Sequence, residues 1–157
     1  MSQPPPFHGQ ARFRRLADYL AAKAPLGRLP GRQHIDPIEI ADLLPGLTLL
    51  DVVPQPGGEP RFRVRLAGTE VVREFGSEMT GRFVDELLHG PSAPQILGHY
   101  REVVRTGAPR CHRGGIAAAG REHLRYERLT LPLAADGERV DMLISVLVRI
   151  SPRAGDS

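Results

Sequence analysis

Hydrophobic and polar residues alternate most strictly over residues 61–69, where Phe62, Val64 and Leu66 interleave with Arg61, Arg63 and Arg65. A period of two is the signature of a strand with one dry and one wet face. The pattern therefore predicts a strand with its arginines toward solvent. Ala67-Gly68-Thr69 follows, small enough for a close backbone turn, with Thr69 as N-cap of a short helix over 70–75. Gly76 closes that helix in the left-handed conformation. A second turn signal, Thr80-Gly81-Arg82, opens another short helix over 83–88.

Elsewhere the spacing is mostly helical or extended. Phe13, Leu16, Ala17, Leu20 and Ala24 mark an amphipathic helix over 10–24, with Arg12, Arg15 and Asp18 on its other face and Pro25 as its stop. Asp36-Pro37-Ile38-Glu39 reads as a capped helix start that ends at Pro45-Gly46. Residues 47–53 form a strand, and the turn cluster 54–60 pairs it with 61–66 as an antiparallel hairpin. Ser92 opens a longer helix that places Ile96, Leu97, Tyr100, Val103 and Val104 on one face, closed by Gly107. Strands follow over 110–118, 123–133 and 140–150, with Asp136-Gly137 as a hairpin signal. In the last of these Val140, Met142, Ile144, Val146, Val148 and Ile150 share a face. Residues 1–9 and 151–157 read as flexible tails around a single domain, 10–150.

Composition narrows the class. The 157 residues suffice for one domain with a real core, and 41% hydrophobic with 25% charged residues argues against wholesale disorder. Every basic residue except Lys23 is arginine, yet the net charge is only +3 and no like-charge run exceeds Arg14-Arg15. That is read as a compositional bias rather than a phosphate-binding surface. The single Cys111 excludes an intrachain disulfide and suits a reducing compartment. No signal peptide or membrane-length apolar run is present, so a soluble cytoplasmic protein with no membrane association is expected.

The order of elements is helix, short helix, two strands, short helices, longer helix, three strands. It resembles that of a PAS domain, and in particular the stand-alone single-domain PAS proteins of alphaproteobacteria. The matching residues are Arg32, Ile35-Asp36-Pro37, Leu44-Pro45, the run from Arg61 to Thr69, Gly76, Thr80-Gly81, Tyr100, Gly107, Pro109, Glu127-Arg128, Leu131-Pro132-Leu133 and Asp136-Gly137. They span nearly the whole of 13–150. The first helix departs from the family pattern, with Leu and Ala where aromatics are expected. The resemblance implies an α+β PAS fold: a five-stranded antiparallel sheet with short helices and one longer helix between strands 2 and 3, plus an N-terminal amphipathic helix.

The resemblance also implies a non-enzymatic sensory module that binds a small ligand, a signalling partner such as a histidine kinase, or both. The expected pocket lies between sheet and short helices, lined by Leu66, Val71, Phe75, Leu87, Tyr100, Glu127 and Met142. The outer sheet face is expected to carry the three arginines with Leu143 and Leu147. Phe13, Leu16 and Leu20 of the first helix would meet that face in a homodimer. One of Glu127 and Arg128 must point toward the helices, since neighbours on a strand face opposite ways.

No cofactor is expected. Cys111 lies in a strand rather than in the helical motif of a flavin photosensor, and His99 falls off the apolar helix stripe, facing solvent, so it is not read as a haem ligand. Cys111, His112 and His123 lack metal-site spacing, so no metal is expected. No nucleophile elbow, P-loop or dinucleotide fingerprint occurs, and no catalytic residue is assigned. Two alternatives remain. One is a small α+β enzyme using Glu127 or His123 in the cleft. The other is a nucleic-acid binder through the Arg61/Arg63/Arg65 face, although specific nucleic-acid binding is not expected because Phe62 should point the other way.

Overall fold

A computed structural model of the chain describes residues 10–118, 120–121 and 123–150. The expected tails, 1–9 and 151–157, lie outside them. The elements are α1 (Ala11–Lys23), β1 (Leu47–Gln55), β2 (Gly58–Ala67), α2 (Thr69–Phe75), α3 (Val84–Leu87), α4 (Ala93–Thr106), β3 (Arg110–Gly115), β4 (Arg125–Leu133) and β5 (Met142–Ile150). The strands form one antiparallel sheet in the order β2-β1-β5-β4-β3. This is the α+β arrangement the resemblance implied.

Both faces of this sheet are covered, which the alternation of β2 alone does not suggest. On the inner face, α2, α3 and α4 pack Val71, Leu87, Ile96 and Tyr100 onto Leu50, Phe62, Val64 and Leu143. On the outer face, α1 lays Phe13, Leu16 and Leu20 over Leu47, Leu49, Leu129, Leu131, Ile144 and Val146. Burial of a side chain of this size contributes roughly 1.5–3 kcal/mol, so the outer core matters as much as the inner one. Polar contacts hold α1 in place. Arg15 grips Asp42 through two nitrogens, at 2.6 and 2.7 Å, and Lys23 meets Glu39 at 3.0 Å. The Tyr19 hydroxyl accepts from the Asp36 amide at 2.9 Å and donates to Glu39 at 2.8 Å.

This arrangement corrects the expected interface. Phe13, Leu16 and Leu20 are buried against their own sheet, so they do not form a free apolar stripe. Leu143 and Leu147 point inward: Leu143 lies opposite Leu50 and Leu147 opposite Arg128, all on the face covered by α2, α3 and α4. The other parity of β5, Met142, Ile144, Val146 and Val148, meets α1 instead. Both parities of β5 carry large apolar residues, and the set that holds Ser145 and Arg149 is the one the short helices cover.

The segment after α2 protects the free side of β2. Gly81 donates to the Val64 carbonyl at 2.7 Å and Val64 donates to the Arg82 carbonyl at 2.9 Å, and Arg63 bridges Phe83. The Ala67-Gly68-Thr69 turn works by sterics. A Cβ on Gly68 would sit 2.1 Å from the Leu44 carbonyl oxygen and 2.3 Å from that of Pro45. Gly68, rather than Thr69, is the N-cap of α2, and Thr69 is its first helical residue. Gly76 closes α2 at φ +93, as its position predicted.

Candidate functional site

Between the inner sheet face and the short helices lies a partly enclosed cavity of about 40 Å³. Its walls are largely apolar: Leu50 and Val64 from the sheet, Val71 and Phe75 from α2, Leu87 from α3 and Ile96 from α4. Tyr100 tilts against Phe62, ring centroids 5.6 Å apart, and closes one side. The polar lining consists of Thr48, Ser145 and Arg128. A wider open trough of about 450 Å³ lies beside the start of α1, but it is a charged surface already bridged by Arg12 and Glu70 at 3.1 Å.

Of the residues expected to line the pocket, Val71, Phe75, Leu87 and Tyr100 are there, and Leu66, Glu127 and Met142 are elsewhere. Leu66 is displaced by a β-bulge. Leu50 faces Val64, but the next pair is Leu49 with Leu66, so Arg65 is an extra residue. The bulge moves Leu66 to the outer face, where it is 41% exposed. Met142 lies on the α1 side because β5 has the opposite parity to that expected. Glu127 shares the outer face with Leu129 and Leu131, where Arg113 and Gln10 both reach it at 3.1 Å.

Arg128 is therefore the member of the pair that points toward the helices, and it is a lining residue that the strand pattern does not reveal. Its parity partners Tyr126 and Thr130 are polar, whereas Leu129, Leu131 and Leu133 fill the other face. A dry-face, wet-face reading assigns the polar set to solvent. It fails here because the more apolar face is the one α1 covers.

A buried polar chain runs beside the cavity. His99 Nε2 lies 2.7 Å from Thr130 Oγ1, which lies 2.8 Å from Ser145 Oγ, and Ser145 donates to the Leu129 carbonyl at 3.2 Å. Each hydroxyl has one proton, so Ser145 must accept from Thr130 and Thr130 must accept from His99. That assigns the proton to Nε2 and leaves Nδ1 a bare acceptor without a hydrogen-bond partner. His99 is 4% exposed, which corrects the solvent-facing position expected for it. Burial, aided by the Arg128 charge, pushes its pKa down to about 3. The same two causes lower that of His112, whose ring lies 5.5 Å away.

The cofactor-type groups do not fit this site. Cys111 turns toward the α1 face, so no thiol reaches the cavity, and the space is too small for a flavin ring system or a porphyrin. Cys111, His112 and the exposed His123 do not converge, and among the described residues no three His, Cys, Asp or Glu side chains cluster as a metal site. The arginines of β2 are occupied by acids. Arg61 holds Asp85 and Glu86, and Asp51 takes Arg63 and Arg65.

Comparison with known proteins agrees with this architecture. No curated protein matches the sequence. Among solved structures, a LOV protein from Rhodobacter sphaeroides superposes with a TM-score of 0.54 at 15% identity, covering 90% of this chain and 70% of that one. The PAS domain of Bordetella pertussis BvgS gives 0.54 at 16% identity, covering 77% and 91%. A PAS domain from Colwellia psychrerythraea gives 0.53 at 11% identity, covering 74% and 98%. At such identities these likenesses concern the fold alone. The family model described as PAS domain matches residues 10–148, so with its five-stranded sheet and helix-covered cavity the chain belongs to the PAS domain family.

Proposed function

We propose that this chain is a sensory module that binds a small molecule in the cavity between sheet and helices and passes the change to a partner protein. The fold is that of sensory domains, and the observation that carries the ligand reading is the partly enclosed cavity itself. It is walled on one side by two helices of only seven and four residues. Elements that short are held by packing rather than by their own propensity, so filling the cavity changes the surface above it. A histidine kinase or another signalling protein reading that surface is the partner class proposed.

The module is proposed to have no catalytic activity. The two residues that an enzyme reading would use, Glu127 and His123, lie on the outer face and in an exposed turn, away from the cavity. Native mass spectrometry of freshly purified protein tests the ligand reading. A small molecule retained at one copy per chain supports it. A bare chain that also fails to bind any small probe by calorimetry refutes it.

A further inference from the structure

One wall of the cavity carries a charge that no described residue answers. Arg128 is the one charged side chain among the described lining residues, and no carboxylate lines the cavity with it. Among the described residues it forms no ion pair or hydrogen bond, and its one specific contact is with the Tyr100 ring, 5.7 Å from guanidinium carbon to centroid. Six other strand arginines, Arg61, Arg63, Arg65, Arg110, Arg113 and Arg149, lie within 4.0 Å of a carboxylate, whereas the exposed Arg125 at the start of β4 shows no ion pair among the described residues. Glu127, next in sequence, points to the opposite face and is engaged there.

Among the described residues, nothing near Arg128 acts as the missing anion. Its neighbours across the sheet are His112 on β3 and Leu147 on β5. The hydroxyls of Thr48 and Ser145 and the ring of Tyr100 are neutral donors and acceptors. A half-buried cation among aliphatic walls costs free energy until it is paired. A guanidinium presents a planar fork that matches a carboxylate through two parallel hydrogen bonds. The size of the space sets the rest. At about 40 Å³ it has room for about three waters, the bulk of a chain of roughly two to four carbons.

Resting on the ligand-binding reading above, we propose that the cavity binds a short-chain monocarboxylate. The carboxylate lies on Arg128 and the alkyl end against Leu50, Val64 and Leu87. The charge selects the anion, and the aliphatic walls select against inorganic anions of the same charge.

Calorimetric titration and thermal unfolding with sodium propionate test this, with propionamide as the neutral isostere and sodium chloride at matched ionic strength. Propionate is expected to bind saturably and raise the midpoint, and propionamide and chloride are not. Arg128→Met should weaken propionate binding at least tenfold while the free variant unfolds at or above the native midpoint, because an unpaired charge has been removed. Arg128→Lys, which keeps the charge without the fork, should bind with intermediate affinity. The inference is overturned, and the cavity reading kept, if propionamide binds as well as propionate or if Arg128→Met retains the propionate response. If neither probe binds up to roughly 50 mM, where even a millimolar Kd would register, the carboxylate assignment falls. The ligand reading falls with it when native mass spectrometry also shows the chain bare.

Discussion

His99 and Thr130 meet across the boundary between α4 and the sheet, imidazole Nε2 to hydroxyl Oγ1 at 2.7 Å, in a position that leaves Nδ1 no acceptor should it gain a proton. The native state therefore holds this imidazole neutral, with Arg128, His112 and Arg110 adding charge repulsion to the effect of burial. The ordinary pKa of 6.5 applies in the unfolded chain and about 3 in the native one. Between these values the unfolded chain binds more protons, so stability is full above pH 6.5 and is lost as pH falls. A loss on the order of 1–2 kcal/mol is expected by about pH 5. Denaturant unfolding of the native protein and of His99→Gln at about pH 7.5 and about pH 5 measures it. A pH dependence as steep in the variant as in the native chain would assign the effect to other groups.

Gly68→Ala should destabilise by about 1–3 kcal/mol or more through overpacking, because the new methyl would meet two carbonyl oxygens and not a flexible side chain. The backbone there is ordinary, with φ −67, so the cost is one of space alone. Gly57→Ala makes the contrasting control. Nothing lies within 4 Å of its added carbon, so only its φ of +67 costs, by about 1–2 kcal/mol. Thermal midpoints of the two variants decide the order. A Gly68→Ala protein as stable as the native one would refute the close approach.

Leu16→Ala, a truncation at a fully buried position of α1, should cost about 2–5 kcal/mol. Leu26→Ala, at a fully exposed leucine just beyond the helix, should change stability by less than about 0.5 kcal/mol. The pair measures whether α1 is part of the chain's own core. Similar small effects at both positions would show that the helix does not cover the sheet as described.

Cys111 should be a slow nucleophile. Burial, with Glu127 adding to it, pushes its thiol up to about 12, so almost none is thiolate at neutral pH. Reaction with a disulfide reagent at about pH 8 should be far slower in the native protein than in denaturant. Equal rates in the two states would contradict the burial.

How much of this was legible in the sequence depends on whether a signal was local. The hairpin of β1 and β2, the left-handed glycines at 76 and 107 and the amphipathic helix at 13–20 are written in turn chemistry and periodicity, and the structure shows them where predicted. Which face each strand turns inward is not local. Leu66 changes sides because of one extra residue, Arg65, opposite Leu49 and Leu50. Met142 and Leu143 are both apolar, so only pairing with Leu50 assigns them. Arg128 was hidden by a sound rule in the wrong setting, since polar residues on a strand face water only when that face is bare. The spacing of His99 along α4 cannot show Thr130, thirty-one residues later.

The two unequal coverings of the sheet have a dynamic consequence. The outer side is closed by a thirteen-residue helix fastened at Asp42, Asp36 and Glu39, whereas the inner side is closed partly by helices of seven and four residues. In hydrogen–deuterium exchange the amides of β1, β4 and β5 should be the last to exchange, and those of α2 and α3 should open together far earlier. Such an opening would admit a small molecule to the interior while the strand ladder stayed intact. Protection gained at α2 and α3 on binding would then be the readable trace of the signal.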